Sequence, residues 1–244
     1  MECILLAAGY ATRLYQLTID KPKALLTLGS KTILDLVIEK IEEINVIDKV
    51  HIVTNHRFAA NFINWSQTYH GRLLVNVIDD GTTDNDNRLG AIGDMQYVIN
   101  KENIKDDIFV LASDNVFRFS LKGMVDMFFS SGYDTISAHY IEDREVLKSM
   151  GVLKIDNESF VTEFTEKPQE PQSNYGVPPF YIYKKETLDL IKIYLNEGNN
   201  PDAPGHFVPW LIGHNKVKAF TFDEMIIDIG TPGAYEEAQK IFVD

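Results

Sequence analysis

The stretch CILLAAGYATRLYQLTIDKPKALL, residues 3–26, sets the organisation of the chain. Residues 3–7 are uniformly apolar and few, as is typical of a parallel strand covered on both faces. The small residues Ala8 and Gly9 follow, and they allow a backbone to approach a bulky anion closely. This order predicts a buried strand that ends in a loop able to hold an anion.

Two positively charged side chains in the same segment indicate that the anion is a phosphate. Arg13 can make a forked contact with phosphate oxygens and Lys23 can act as a point charge, while the backbone N–H groups cradle other oxygens. A dinucleotide-binding Rossmann loop would need G-x-G-x-x-G, but Gly9 is followed by Ala11 and Leu14. A P-loop would need Gly-Lys-Ser/Thr, which does not follow.

The whole stretch resembles the signature of the sugar-1-phosphate nucleotidyltransferases, L-A/G-G-x-G/A-T-R-L-x-x-L-T-x-x-x-P-K. The matching residues are Leu6, Ala7, Ala8, Gly9, Ala11, Thr12, Arg13, Leu14, Leu17, Thr18, Pro22 and Lys23. The resemblance implies that Leu6, Ala7, Ala8 and Gly9 bind substrate. It also implies that Arg13 and Lys23 are catalytic residues that bind the triphosphate of a nucleotide.

The composition describes an ordinary globular protein: 45% of the 244 residues are hydrophobic and 24% are charged. The formal net charge of −13 argues against a nucleic-acid or anionic-membrane surface, which needs a basic stripe. No apolar run approaches the roughly 18 residues of a spanning helix, and the start of the chain does not match a signal peptide. We therefore expect no nucleic-acid partner, no membrane partner and a cytoplasmic location. The single cysteine, Cys3, is expected to be a buried thiol.

Strand and helix patterns alternate over the first half, which predicts βαβ units and a parallel sheet. The second half adds short strands that extend the sheet. We predict an α/β class, with a three-layer Rossmann-like nucleotidyltransferase fold and a mixed, mostly parallel central sheet. The chain is expected to be one domain, residues 1–244, with an NTP-binding lobe at 1–132 and a sugar-phosphate-binding lobe at 133–244.

Two aspartates occupy places where a metal ion could bind. Asp114 ends the apolar strand FVLAS, and Asp228 lies in IIDIGTP. Ligands of open α/β sheets bind beyond the carboxyl ends of the strands, and carboxylates are the hard oxygen ligands that Mg²⁺ uses. The family is similar at both places, which implies that Asp114 and Asp228 hold Mg²⁺ and are catalytic.

A second group of residues resembles the family's acceptor site. Glu166 and Lys167 stand in an E-K-P, which in the family contacts the sugar with its Glu and the phosphate with its Lys. Gly151 begins the preceding strand as in the family, and Tyr181 lies in the segment that closes under the sugar. Pro178-Pro179 replaces the usual Thr-Gly pair, so the sugar pocket is expected to be reshaped.

The loop DDGTTDNDNRLG is where the family recognises the nucleobase, and only Gly90 matches there. The family's Gln is missing from this loop. Its acidic residues are expected to be solvated rather than a metal site, since EF-hand spacing is absent. They are Asp79, Asp80, Asp84 and Asp86. No Cys/His cluster suits zinc.

The resemblance predicts transfer of a nucleoside monophosphate from an NTP to a sugar 1-phosphate, with Mg²⁺ as cofactor. A cytidylyltransferase acting on phosphocholine or an inositol phosphate would match the same residues. A non-catalytic nucleotide-sugar sensor is disfavoured by the intact charged residues, and an NAD-dependent oxidoreductase by the missing glycines. The sequence fixes neither the base nor the sugar, and it leaves open whether the protein is a homo-oligomer.

Overall fold

The computed structural model describes residues 1–242. These residues divide into two compact units. Of these residues, unit A comprises 2–88, 112–121 and 225–242, and unit B comprises 1, 89–111 and 122–224. Each unit therefore gathers segments that are far apart in the sequence. Within the described residues, no helix has both the length and the apolar character needed to cross a membrane.

The strands in chain order are β1 (Glu2–Leu6), β2 (Thr27–Leu28), β3 (Lys31–Thr32), β4 (Lys49–Thr54), β5 (Leu74–Asp79), β6 (Ile108–Ala112), β7 (Asn115–Phe117), β8 (Asp134–Tyr140), β9 (Gly151–Ile155), β10 (Val161–Glu166), β11 (Tyr175–Val177), β12 (Phe180–Tyr183), β13 (Val217–Phe222) and β14 (Ile226–Asp228). The helices are α1 (Tyr15–Thr18), α2 (Ile33–Glu42), α3 (Ala59–Thr68), α4 (Ala91–Glu102), α5 (Lys122–Ser131), α6 (Arg144–Leu147), α7 (Leu188–Asn196), α8 (Phe207–Ile212) and α9 (Pro232–Ile241).

The main strands of unit A run in parallel. β1 pairs with β4 from Cys3↔Val50 to Leu6↔Val53, and β4 pairs with β5 along its whole length. All three strands therefore end at the same edge. The expected thiol is confirmed as buried, since Cys3 is 0% exposed and burial raises its pKa. A separate antiparallel pair, β7 with β14, brings the C-terminal segment into this unit.

The strands of unit B form a mixed arrangement around β8. β13 pairs with β8 in parallel, whereas β11 and β12 pair with it in antiparallel orientation. β9, β10 and β11 continue the antiparallel part. The mixed α/β class predicted from the sequence is confirmed.

Local chemistry explains several of these boundaries. α2 begins with a capping box, in which Thr32 accepts from the Asp35 N–H and Asp35 accepts from the Thr32 N–H. Pro178-Pro179 separates β11 from β12, because proline cannot donate to a strand ladder. The Pro178 carbonyl accepts instead from the Ser137 hydroxyl at 2.6 Å.

Candidate active site

The loop after β1 is held at three successive residues of unit A. The Ser113 N–H donates to the Leu6 carbonyl at 3.0 Å, and the Ala7 N–H donates to the Val53 carbonyl at 2.8 Å. The side chain of Asn55 donates to the Ala8 carbonyl at 2.9 Å. Gly9 is exposed, and a Cβ added there would meet nothing within 4 Å. The loop is therefore fixed by hydrogen bonds at residues 6–8, and the space around Gly9 is open.

Arg13 lies in a tight turn that a strained residue introduces. Ala11 has φ 46° and ψ 42°, the left-handed region that non-glycine residues rarely adopt, and its carbonyl accepts from the Leu14 N–H at 2.9 Å. Thr18 closes the segment by donating its hydroxyl to the Leu14 carbonyl at 3.0 Å. The Arg13 side chain is exposed at the surface of this turn and is available to an anion.

Lys23 and Asp114 form an ion pair through Lys23 Nζ and Asp114 Oδ2, with side chains that are only 19% and 24% exposed. The second carboxylate oxygen, Oδ1, accepts from the Asn115 amide at 2.9 Å. Asn115 is itself buried. The Asp114 carboxylate is therefore held in one orientation by a cation on one side and an amide on the other.

Asp228 lies beside Asp114. In the β7–β14 pair, Asp228 stands opposite Asn115, and the Ile229 N–H donates to the Asp114 carbonyl at 2.9 Å. Residues that face each other in such a ladder have Cα atoms about 4.5–5.5 Å apart. The ladder and this hydrogen bond place the backbones of the two aspartates next to each other, although they are more than a hundred positions apart in the sequence.

An apolar cluster of unit A fixes the backbone beneath these charged side chains. Leu14 follows Arg13, Val116 follows Asn115, and Ile227 and Ile229 flank Asp228, and all four are buried in one cluster with Tyr235 of α9. The Tyr235 hydroxyl also donates to the Thr27 carbonyl at 2.7 Å. The C-terminal helix thereby anchors the site's segments to one another.

The oxygens of two carboxylates suit Mg²⁺, which also takes phosphate and water oxygens as ligands. Among residues 1–242, no group of three or more His, Cys, Asp and Glu side chains is placed to hold a metal. The expectation that the aspartates of the acidic loop are all solvated is wrong for Asp80, which is buried and accepts from the Thr82 N–H and hydroxyl.

In unit B, the Glu166 side chain is confined between two glycines. Its Oε2 would lie 2.1 Å from a Cβ on Gly205 and 3.2 Å from a Cβ on Gly151. Only 14% of the side chain is exposed. Burial raises the pKa of Glu166, and the positive charges of Lys167 and His206 lower it in part. The site therefore presents one carboxylate with little freedom to move.

Lys167 follows in a strained conformation with φ 48°. Its N–H donates to the Met150 carbonyl at 3.1 Å, and its Nζ lies 4.0 Å from Glu166 Oε1. The side chain is 59% exposed. Non-glycine residues in this region often mark functional sites, because the strain persists only where surrounding structure imposes it.

Gly90 precedes α4 with φ 78°, and a Cβ there would lie 2.5 Å from the Pro201 carbonyl oxygen. The next two N–H groups of unit B, those of Ala91 and Ile92, donate to the carbonyls of Asp202 and Pro201. A glycine is therefore required by packing, independently of any ligand.

Tyr181 is 2% exposed and stacks on Tyr183, with ring centroids 5.9 Å apart. Burial, and then the charge of Glu166, raise the pKa of the Tyr181 hydroxyl. Packing in the interior of unit B accounts for this residue, and little of its surface can meet a ligand.

The sequence reasoning did not identify four residues that shape these sites: Asn55, Asn115, Gly205 and His206. Asn55 and Asn115 carried a weak signal, because each lies at or just after the end of an apolar strand, where polar residues face the ligand edge. Gly205 and His206 lie at the end of a Pro/Gly/Asn-rich stretch, whose composition indicates only a connection between elements.

The sequence matches the family model described as Nucleotidyl transferase over residues 2–243. The chain belongs to the nucleotidyl transferase family. Among relatives, a Sulfolobus acidocaldarius protein provisionally named a mannose-1-phosphate guanyltransferase is 27% identical, over 96% of this chain and 61% of its own. The Haloferax volcanii UTP--glucose-1-phosphate uridylyltransferase AglF is 23% identical, over 98% of this chain and 96% of its own.

The chain spans 55% of the Methanocaldococcus jannaschii bifunctional protein GlmU, which it matches along its whole length at 25% identity. It thus covers little more than half of some relatives. Solved structures agree on the fold. A UDP-glucose pyrophosphorylase complexed with UDP-glucose has a TM-score of 0.85 at 17% identity, covering 99% of this chain and 97% of the other. The UTP-bound UGPase from Acinetobacter baumannii has a TM-score of 0.81 at 16% identity, covering 99% and 92%. The predicted Rossmann-like nucleotidyltransferase fold is confirmed.

Proposed function

We propose that this protein transfers a nucleoside monophosphate from an NTP to a sugar 1-phosphate, releasing pyrophosphate and forming a nucleotide sugar. The observation that carries the proposal is the adjacency of Asp114 and Asp228 beside Lys23 and the end of β1. Family membership and the sugar-phosphate chemistry in the relatives' names support it.

The NTP phosphates bind to unit A in this proposal. The Gly9 loop supplies backbone N–H groups, and Arg13 and Lys23 supply positive charge for the triphosphate and for the departing pyrophosphate. Asp114 and Asp228 would hold Mg²⁺, which would neutralise charge at the α-phosphate. Lys23 pairs with Asp114 in the structure, so its positive charge lies beside the carboxylates that would hold the ion.

The acceptor binds to unit B. Lys167 holds its phosphate, and the buried carboxylate of Glu166 accepts hydrogen bonds from hydroxyl groups. Gly151 lines this site, Tyr181 supports it from the interior, and Gly90 lies near the base. In terms of the predicted lobes, residues 1–132 serve the NTP and residues 133–244 the sugar phosphate, apart from Asp228.

The chemical step balances without a protein base. An oxygen of the acceptor phosphate forms a bond to the α-phosphorus, and the bond from that phosphorus to the bridging oxygen breaks. Pyrophosphate leaves with the electron pair. A phosphate dianion is already nucleophilic, so the protein contributes positioning and charge neutralisation.

A pyrophosphate-release screen tests the proposal. Four NTPs and dTTP are combined with a panel of sugar 1-phosphates, with phosphocholine included as a non-sugar acceptor. Turnover that requires a sugar 1-phosphate is the expected result. Turnover with phosphocholine alone would show the same chemistry on another acceptor and overturn the sugar assignment. Tight NTP binding with no turnover on any acceptor would instead indicate a sensor.

A further inference from the structure

Asn55 is a buried amide with two specific partners. It follows β4 directly and is 0% exposed. Its Nδ2 donates to the Ala8 carbonyl at 2.9 Å, and its Oδ1 accepts from the Phe58 N–H at 3.2 Å. Since a carbonyl only accepts and an N–H only donates, the amide can satisfy both partners in one orientation alone. The side chain is therefore a fixed link between α3's leading turn and the Gly9 loop.

This link determines which way the next N–H group points. The described residues contain no cis peptide bond, so the carbonyl of Ala8 and the N–H of Gly9 point in opposite directions across one planar unit. The carbonyl points inward to Asn55, and the Gly9 N–H consequently points outward. Within residues 1–242 this N–H has no hydrogen-bond acceptor, and the space above Gly9 is open.

Glycine makes this orientation reversible. A peptide unit flips by coupled changes of ψ at the first residue and φ at the second, and glycine accepts either sign of φ at little cost. A flipped unit would present the Ala8 carbonyl oxygen, a partial negative charge, to the open side. An anion there would then be repelled where it had been bound.

We propose that Asn55 is a positioning residue for the nucleotide: it holds the Ala8–Gly9 peptide so that the Gly9 N–H faces an NTP phosphate. The inference rests on the proposed function, because it takes the ligand of the Gly9 loop to be a triphosphate. Asn55 does not touch the nucleotide and acts only through the peptide that it holds.

The test replaces Asn55 with a near-isosteric residue of the wrong hydrogen-bonding type. In Asn55→Asp one carboxylate oxygen still accepts from Phe58, but the other faces the Ala8 carbonyl and repels it. Binding of each NTP, and of the matching nucleoside without phosphates, is measured by calorimetry. We expect NTP affinity to fall about tenfold to a hundredfold, because a charge-assisted hydrogen bond is replaced by repulsion. Nucleoside affinity and the KM for the acceptor should be unchanged.

Asn76→Ala is the matched control. Asn76 is a half-buried amide of β5 in the same unit, and it bonds His51 at 3.4 Å rather than the loop. This variant should lose stability without losing NTP affinity. Should Asn55→Asp not fold, Asn55→Ser removes the same donor with a smaller side chain, and the same selective loss is expected.

Equal NTP affinity in wild type and a folded Asn55 variant would overturn the inference, as would an equal loss for NTP and nucleoside. Failure of the proposed function looks different, because the wild-type protein would then bind no NTP, or would bind it without turnover on any sugar 1-phosphate.

Discussion

The two units differ in how they hold their charged groups. Unit A combines cations and carboxylates, with a half-buried ion pair of Lys23 and Asp114 and with Asp228 on the adjacent strand. At its site, unit B holds the Glu166 carboxylate in a narrow space between glycines, next to the exposed Lys167. The first arrangement suits a polyanion with a metal ion, because charges of both signs lie close together. The second suits a ligand with one phosphate and neutral hydroxyl groups.

The two units share one feature, which is a strained residue at the edge of each site. Ala11 in unit A and Lys167 in unit B both have left-handed backbone conformations. The strain in each case turns the chain sharply, and a charged side chain, Arg13 or Lys167 itself, is exposed at the turn.

The largest expected effect concerns the aspartate pair of unit A. Asp114→Asn and Asp228→Asn should each lower turnover by at least about a hundredfold to a thousandfold, since each would remove a ligand of the proposed metal ion. The double variant should be scarcely worse than either single one, because residues that act as one unit are not additive. Initial rates of pyrophosphate release measure this.

Glu39→Gln serves as the control, since Glu39 is an exposed carboxylate of unit A that pairs with Lys31. Losses that multiply in the double variant would show that the aspartates act separately. That result would contradict a metal site shared by the two aspartates of unit A.

The next effect separates the lysines of the two units. Lys167→Ala should raise the KM for the sugar phosphate about tenfold to a hundredfold and leave NTP affinity unchanged, because one charge-assisted contact is lost. Lys23→Ala should weaken NTP binding and slow turnover together, since contacts to the leaving pyrophosphate strengthen as charge develops.

Lys154→Ala replaces a partly exposed lysine of β9 that pairs with Glu163, and it should change neither constant. If Lys167→Ala weakens both substrates equally, the assignment of the acceptor phosphate to Lys167 is wrong.

A third effect tests the narrow space in unit B. Gly205→Ala places a methyl group 2.1 Å from Glu166 Oε2, which is too close, so the carboxylate must move. We expect the acceptor KM to rise roughly tenfold to a hundredfold, as misplacement by about an ångström can cost that much. Gly213→Ala, with its nearest atom at 3.3 Å, is the control. An unchanged acceptor KM in a folded Gly205→Ala protein would exclude Glu166 from the acceptor site.

How far the sequence predicted these sites depends on the range of the interactions. β1, the capping box of α2 and the two aspartates at strand ends follow from local patterns, and they lie where such patterns place them. The roles of Asn55 and Gly205 could not be predicted. Asn55 acts on a carbonyl 47 residues away, and Gly205 is required by a side chain on β10. No short-range pattern records such packing.

A smaller effect concerns the pH dependence of acceptor binding. Glu166 is an acid with a raised pKa, so it loses its charge at a higher pH than an exposed glutamate does, and acceptor binding should weaken as the pH falls through that raised pKa. His206→Gln removes a positive charge that lowers the pKa, so the loss should begin at a still higher pH. Acceptor KM values measured from about pH 4.5 to 8 show this shift. If the pH profile of the acceptor KM is unchanged in His206→Gln, or moves to lower pH, then the charge of His206 does not lower the pKa of Glu166.

The smallest effect compares the two strained residues. Ala11→Gly should stabilise the protein by about 0.5–1 kcal/mol, since glycine adopts the left-handed region without the Cβ penalty. Lys167→Gly should relieve the same strain but lose acceptor binding. Urea unfolding gives both stabilities. A destabilised Ala11→Gly protein would show that Ala11 contributes packing that outweighs its strain.

The measurement that tests the central claim most directly is pyrophosphate release in the presence of an NTP and a sugar 1-phosphate, with Mg²⁺ and then with a chelator. The account predicts release that requires both substrates and stops when the metal is removed. Full activity in the chelator, or release without an acceptor, would contradict it.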